Sequence, residues 1–109
     1  MLDVLIVTTE NIPGYAIEKV IGHVFGVVVR SRGISGNITA LFRTVADGEF
    51  KEYTEMLEDA RTRAVDRMNQ NAEQMGANAI VMMRFDSTAI GQAMAEIVAY
   101  GTAVVIRSV

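Results

Sequence analysis

No cysteine occurs among the 109 residues. That absence excludes disulfides, thiolate zinc sites, iron–sulfur clusters and a cysteine nucleophile. Histidine occurs once, at His23, and proline once, at Pro13. No apolar stretch approaches the ~20 residues that a membrane-spanning helix requires. The opening MLDVLIVTT has no basic region leading to a small-residue cleavage site, so a cytoplasmic location is expected. Positive charge is in the minority, with ten Lys and Arg against thirteen Asp and Glu. A net charge of −3 argues against sequence-independent binding to a phosphate backbone, and neither nucleic acid nor membrane is an expected partner. What is present is a half-hydrophobic chain with 21% charged residues and nine glycines, the composition of one globular domain spanning 1–109. A chain of this size buries roughly 65% of its unfolded surface, enough for a core and too little for a second lobe.

Residues Leu2 to Val7 are apolar and β-branched, and Pro13-Gly14 closes the turn after them, so the first element is a strand. Tyr15 to Arg30 has no helical period and no turn pair, which predicts a long strand. Alternation sends Ile21, Phe25, Val27 and Val29 to one side and Val20, Val24 and Val28 to the other, with both sides covered. Gly22 and Gly26 within it mark a bulge, a bend or a close approach to another backbone. The loop Ser31 to Asn37 follows, and Ile38, Leu41, Phe42 and Val45 recur at i, i+3, i+4 and i+7 as the stripe of a short helix. Ala46-Asp47-Gly48 ends it.

The strongest periodicity runs from Lys51 to Met75, where Tyr53, Met56, Leu57, Ala60, Ala64, Met68, Ala72 and Met75 recur every three or four residues. Glu58, Asp59, Arg61, Arg63, Asp66 and Arg67 form the wet face, with Asp59 placed four residues before Arg63. Gly76 supplies a left-handed stop. Ala79 to Phe85 predicts a strand, Asp86 to Gln92 a hairpin connection, and Ala93 to Arg107 a last strand. One face of that strand is bulky, with Met94, Glu96, Val98, Tyr100, Thr102, Val104 and Ile106. The other, Ala95, Ile97, Ala99, Gly101, Ala103 and Val105, is nearly flat, shaped for close packing by the long helix or by a second subunit.

The phrase YTEMLEDARTRAVDRMNQNAEQMGANAIVMMRFD, the terminal YGTAVVIR, the opening VTTENIPGY and the strand ending VVRSRGISGN together resemble the YbjQ family, also catalogued as UPF0145, uncharacterised small proteins of bacteria and archaea. The similarity spans the whole chain. It includes the pair Ala60-Arg61 and the turn Met75 to Ala79, which stands where relatives have LGANA. Relatives often have two adjacent glycines where this chain has Ala46-Asp47-Gly48. The resemblance implies an α+β, dodecin-like fold: a mainly antiparallel sheet with one short and one long helix on one face. It also implies assembly into a ring, a homo-oligomer of five copies. The family is sometimes labelled heavy-metal-binding.

Soft metals prefer thiolates or several imidazoles, and this chain offers neither. Met56, Met68, Met75, Met82 and Met83 read as core filler, and Asp86 with Glu96 supplies too few oxygens for a hard cation. No metal or cofactor is therefore expected. His23 reads as a core or interface histidine, although repetition around a ring would let several copies line a channel or share an ion. Arg30, Arg32, Ser35 and Asn37 form a candidate anion cradle, although an ordinary strand-to-helix connection is the favoured reading of the same residues. Arg84, Asp86, Glu96 and Tyr100 are candidates for a subunit interface, where charges need partners. Catalysis ranks last, because no acid, base and nucleophile converge by motif. The leading expectation is a homo-oligomer with ligand sites at subunit junctions. It rests on more apolar strand surface than the helices can cover, and requires that the Ala-lined face not be wrapped within one copy.

Overall fold

The computed structural model describes residues 4–31, 51–90 and 94–109, with the backbone alone at 31 and 51–53. In chain order the elements are β1 (Leu5–Ile6), β2 (Tyr15–Ser31), α1 (Lys51–Gln74), β3 (Ala79–Ile90) and β4 (Met94–Ser108). They form one four-stranded sheet in the order β1-β3-β4-β2. β2 and β3 both run antiparallel to β4, while β1 joins β3 in parallel. This is the expected α+β class. The stripe Ile38 to Val45 and the break at Ala46-Asp47-Gly48 lie outside the described residues, as do Leu2, Asp3 and residues 91–93.

Two boundaries differ from the sequence expectation. β1 is shorter. β3 runs through Asp86, Ser87 and Thr88 to Ile90, where a hairpin connection was expected from Asp86 onward. Those residues favour turns when unpaired, but here the long β4 strand pairs them with Val98 through Met94.

α1 carries a narrow buried stripe of Ala60, Ala64, Met68 and Ala72, spaced four residues apart. Leu57 and Met75, three residues off either end of that stripe, lie on its flanks and are exposed. Gly76 ends the helix at φ 89°, with its amide donating to the Glu73 carbonyl at 3.0 Å and the Ala77 amide to the Ala72 carbonyl at 3.0 Å. The alanines let α1 lie almost on the backbone of β2. A Cβ at Gly26 would sit 2.2 Å from the Ala64 carbonyl oxygen and 2.4 Å from the Met68 amide nitrogen.

Beneath α1 lie Val24 and Val28 of β2 with Ile97, Ala99 and Ala103 of β4, all buried. The flat face of β4 is thus closed by the chain's own helix. The requirement set on the sequence, that this face not be wrapped within one copy, is not met, and the case for assembly drawn from it falls. Any assembly has to use the opposite face.

Alternation along β2 is broken by register shifts between Ile17 and Lys19 and between Val20 and Gly22. Val20 therefore shares a face with Phe25, while Ile21 turns to the helix-side core, the reverse of the simple parity. A second, smaller core of Ile12, Ala79, Val81, Val104 and Ile106 sits on the face away from α1, at the Tyr15 end of the sheet. The segment carrying Val7 and Ile12 closes it, held by amide-to-carbonyl bonds from Val7 to Ile80 and from Met83 to Val7.

β2's 17 residues span about 55 Å, which sets the long axis of 55 Å. α1 has 24 residues, or about 36 Å, so it covers about two thirds of that length. It runs antiparallel to β2. Two of its side chains reach the strand's free edge, where Arg67 Nη1 donates to the Val27 carbonyl at 2.7 Å and Asn71 Nδ2 to the Phe25 carbonyl at 2.8 Å. The spacings match: four helical residues rise ~6 Å and two strand residues ~6.6 Å.

Candidate functional site

The face of the sheet away from α1 is the site. Its rows follow from the pairing: Phe25, Tyr100 and Arg84 lie side by side, then Val27, Val98 and Asp86, then Val29, Glu96 and Thr88. Met94 and Ile90 continue it at one end, and His23 with Thr102 at the other. The β2 column is apolar from Tyr15 through Ile17 to Val20 and again from Phe25 through Val27 to Val29, with His23 between the two stretches. Phe25 is 50% exposed, Val29 52% and Val20 62%. In the adjoining strands Tyr100 is 44% exposed and Met94 42%. The open rows measure about 14 Å across three strands and roughly 27 Å along them. Exposed apolar side chains grouped on one side of such a face, rimmed by polar ones, mark interaction sites in folded proteins.

Polarity is graded across the face. The β2 side is greasy and the β3 side charged. Arg84 Nη1 donates to the Thr8 carbonyl at 2.9 Å and to its neighbour Met83's carbonyl at 2.8 Å, so it ties the amino-terminal segment to the β3 bulge. That bulge places Met82 at φ 58°. Asp86 Oδ1 accepts from the Ser87 amide at 2.9 Å. Glu96 is half-buried between Val29 and Thr88. Among the described residues no ion pair reaches Arg84, Asp86 or Glu96. The His23 and Phe25 rings lie parallel, 6.2 Å apart, which is the two-residue repeat of the strand.

Five of the sequence candidates therefore meet on one face: His23, Arg84, Asp86, Glu96 and Tyr100. Arg30 does not join them. It lies on the helix side, paired with Asp59, whose Oδ2 also accepts from Arg63 Nε at 3.0 Å. Arg32, Ser35 and Asn37 lie outside the described residues. Sequence reasoning missed that Phe25, Val29 and Met94 would stand in the open, since strand alternation reports faces but not what covers them. It also missed a shallow hollow of about 230 Å³ between α1 and β3, lined by Arg61, Thr62, Val65, Asp66 and Phe85. There the Arg61 guanidinium sits 5.0 Å from the Phe85 ring centre.

The donor set can be tested against a heavy metal. The one imidazole stands exposed on a sheet face, Met68 is sealed inside the core, Met75 lies just past the end of α1 and Met82 in β3. Among the described residues no three His, Cys, Asp or Glu side chains cluster. These residues do not fit a heavy-metal site within one copy.

The described residues define an α+β domain whose sheet is closed on one face by its own helix and largely open on the other. The chain belongs to the YbjQ family, or UPF0145: residues 4–107 match that family, which is described as "Putative heavy-metal-binding". It is 62% identical over 103 residues to a UPF0145 protein of Bradyrhizobium sp. (strain ORS 278), covering 94% of this chain and 93% of the relative. A UPF0145 protein of Thermoplasma acidophilum is 57% identical over 109 residues, covering 100% of this chain and 92% of the relative. Among solved structures, a protein of unknown function of the DUF74 family from Pediococcus pentosaceus superposes with a TM-score of 0.50 at 16% identity, covering 95% of this chain and 98% of that one. That likeness concerns the fold. Among the described residues no helix is long and apolar enough to cross a membrane.

Proposed function

We propose that the protein works as a symmetric homo-oligomer, a ring of five copies in the cytoplasm, with small-ligand sites at the junctions between subunits and no catalytic role. The observation that carries this reading is the exposed apolar column of β2, continued by Met94 and Tyr100 of β4. Burying it removes apolar surface from water at ~25 cal/mol per Å². The ring and its count of five come from the family resemblance. Light scattering on a gel-filtration peak, with native mass spectrometry of the same fraction, gives the copy number. A single-copy mass at micromolar concentration rejects the reading.

A second reading has one observation in its favour: His23 stands on the same open face, so an assembly that covers this face brings imidazoles of several copies to the junctions. Here the oligomer is a carrier for an anion or a shared ion. Loss of the co-purifying ligand on His23→Ala, with the assembly intact, is the outcome it requires.

A further inference from the structure

We infer that the open face carries a slot for a flat aromatic anion, its ring held between His23 and Phe25 and its negative group on Arg84. The inference rests on the reading that this face holds small-ligand sites and names the class of ligand, while every group it uses belongs to one copy.

The slot follows from strand geometry. Side chains two residues apart on one strand stand ~6.6 Å from each other on the same face. In β2 two such positions both carry rings: His23 and Phe25 lie within 4° of parallel, with centres 6.2 Å apart. Both are exposed, and Val24 between them points into the core under α1, so no side chain of β2 fills the interval. A ring sandwiched between two others needs roughly 7 Å from centre to centre, which a small turn of the two exposed side chains provides. The walls continue into β4, where Thr102 stands beside His23 and Tyr100 beside Phe25. The interval is thus a trough running across the strands.

At β3 the trough ends on a positive charge. Val81 pairs with Thr102 and Arg84 with Tyr100, so Met82 and Met83 of the bulge fall between the two rows. Arg84 Nη1 donates to the carbonyls of Met83 and Thr8, which brings the guanidinium back to that level. Nε and Nη2 keep their donors, and no carboxylate pairs with Arg84 among the described residues. A fork anchored in this way suits a carboxylate or a phosphate. Asp86 and Glu96 stand one and two rows further along, on the side of Phe25 away from the slot. Two strand spacings, about 9.6 Å, separate β2 from β3, so ring and charge lie within about 10 Å of each other in the ligand. An aliphatic anion would leave the ring faces unused, and a neutral aromatic would leave the guanidinium to water. Only the combination engages both.

Titration calorimetry of the full chain with 2-naphthoate tests this, against neutral naphthalenemethanol and against cyclohexanecarboxylate, which lacks the flat ring. The aromatic acid binds at least about fivefold more tightly than either control, since stacking and the charged contact are each worth that much. Phe25→Leu, which keeps the face apolar, and Arg84→Gln each weaken 2-naphthoate by at least about fivefold, while Val29→Ala, two rows away, leaves it unchanged. Arg84→Gln also gives up the bond to Thr8, so naphthalenemethanol is the check that the slot survives: its affinity stays the same in that variant. Light scattering on the same samples records the copy number. Equal affinity for 2-naphthoate and cyclohexanecarboxylate, binding that Phe25→Leu leaves intact, or no binding at about 5 mM ligand overturns the inference and leaves the oligomer reading standing. A single-copy mass with the binding pattern intact supports the slot and removes the ring alone.

Discussion

Replacing Gly26 with alanine tests how closely the helix lies on the sheet. The added Cβ would stand 2.2 Å from the Ala64 carbonyl oxygen and 2.4 Å from the Met68 amide nitrogen, both backbone atoms that no side-chain rotation can clear. An ordinary contact begins near 3.4 Å, so α1 has to lift by about 1 Å. That lift loosens Ala60, Ala64, Met68 and Ala72 from Val24 and Val28 together, because one rigid helix carries the whole stripe. A gap of that size forfeits a quarter to a half of each contact, and overpacking of this kind typically costs 1–3 kcal/mol. The lower entropy of an alanine in the unfolded chain returns about 0.4–1 kcal/mol, leaving a net loss of roughly 1 kcal/mol. For a domain near this size, that lowers Tm by about 6 °C. Urea and thermal melts followed by circular dichroism, at one protein concentration because association adds to apparent stability, measure it. Gly101→Ala is the comparison: its Cβ would stand 2.7 Å from Ile80 Cγ2, 3.0 Å from the Val81 carbonyl oxygen and 3.3 Å from Met83 Cα, all longer than the two backbone approaches at Gly26, and the loss is smaller. Gly26→Ala melting within about 3 °C of the parent would refute the close-approach reasoning.

Asn78→Ala removes a side chain that donates from Nδ2 to the Ile106 carbonyl at 2.9 Å and accepts from the Ile106 amide at 2.7 Å, extending the β3–β4 ladder. Two part-buried backbone groups lose partners, and a urea melt should record a loss of about 1–3 kcal/mol. Asp59→Ala breaks the pairs with Arg30 and Arg63, but Asp59 and Arg63 are well exposed, so the expected loss is below about 1 kcal/mol and shrinks further in salt. Phe25→Ser with Val29→Ser makes the open face polar. Light scattering should show a smaller assembly while the far-ultraviolet dichroism stays unchanged, because neither side chain belongs to the core under α1.

Much of the architecture was legible in the order of residues. The four-residue spacing of Ala60, Ala64, Met68 and Ala72 announced a helix able to approach closely, and Gly26 was where the approach occurred. Alternation in β4 separated a flat face from a bulky one, and the same parity put Arg84, Asp86, Glu96 and Tyr100 together. What alternation could not give was which face the helix would take. Both a helix and a neighbouring subunit suit small residues, so the pattern of small side chains could not decide between them. The bulges were hidden for another reason. An extra residue at Ile21 flips parity locally, and Gly22 signalled an irregularity without saying which way the flanking side chains would turn. Arg84, Asp86 and Glu96 were visible as residue types, while the lack of an ion pair to them among the described residues depends on three-dimensional placement.

The Arg67 and Asn71 bonds to β2 have a consequence for solubility. A 17-residue outer strand with an apolar column is the kind of template on which chains stack into fibres by adding strand to strand. Plugging two acceptors at its midpoint interrupts that template, leaving only segments on either side. Swapping both residues for alanine would leave the fold's core untouched and free those two acceptors, so the same helix that builds the interior also guards the middle of the outer strand.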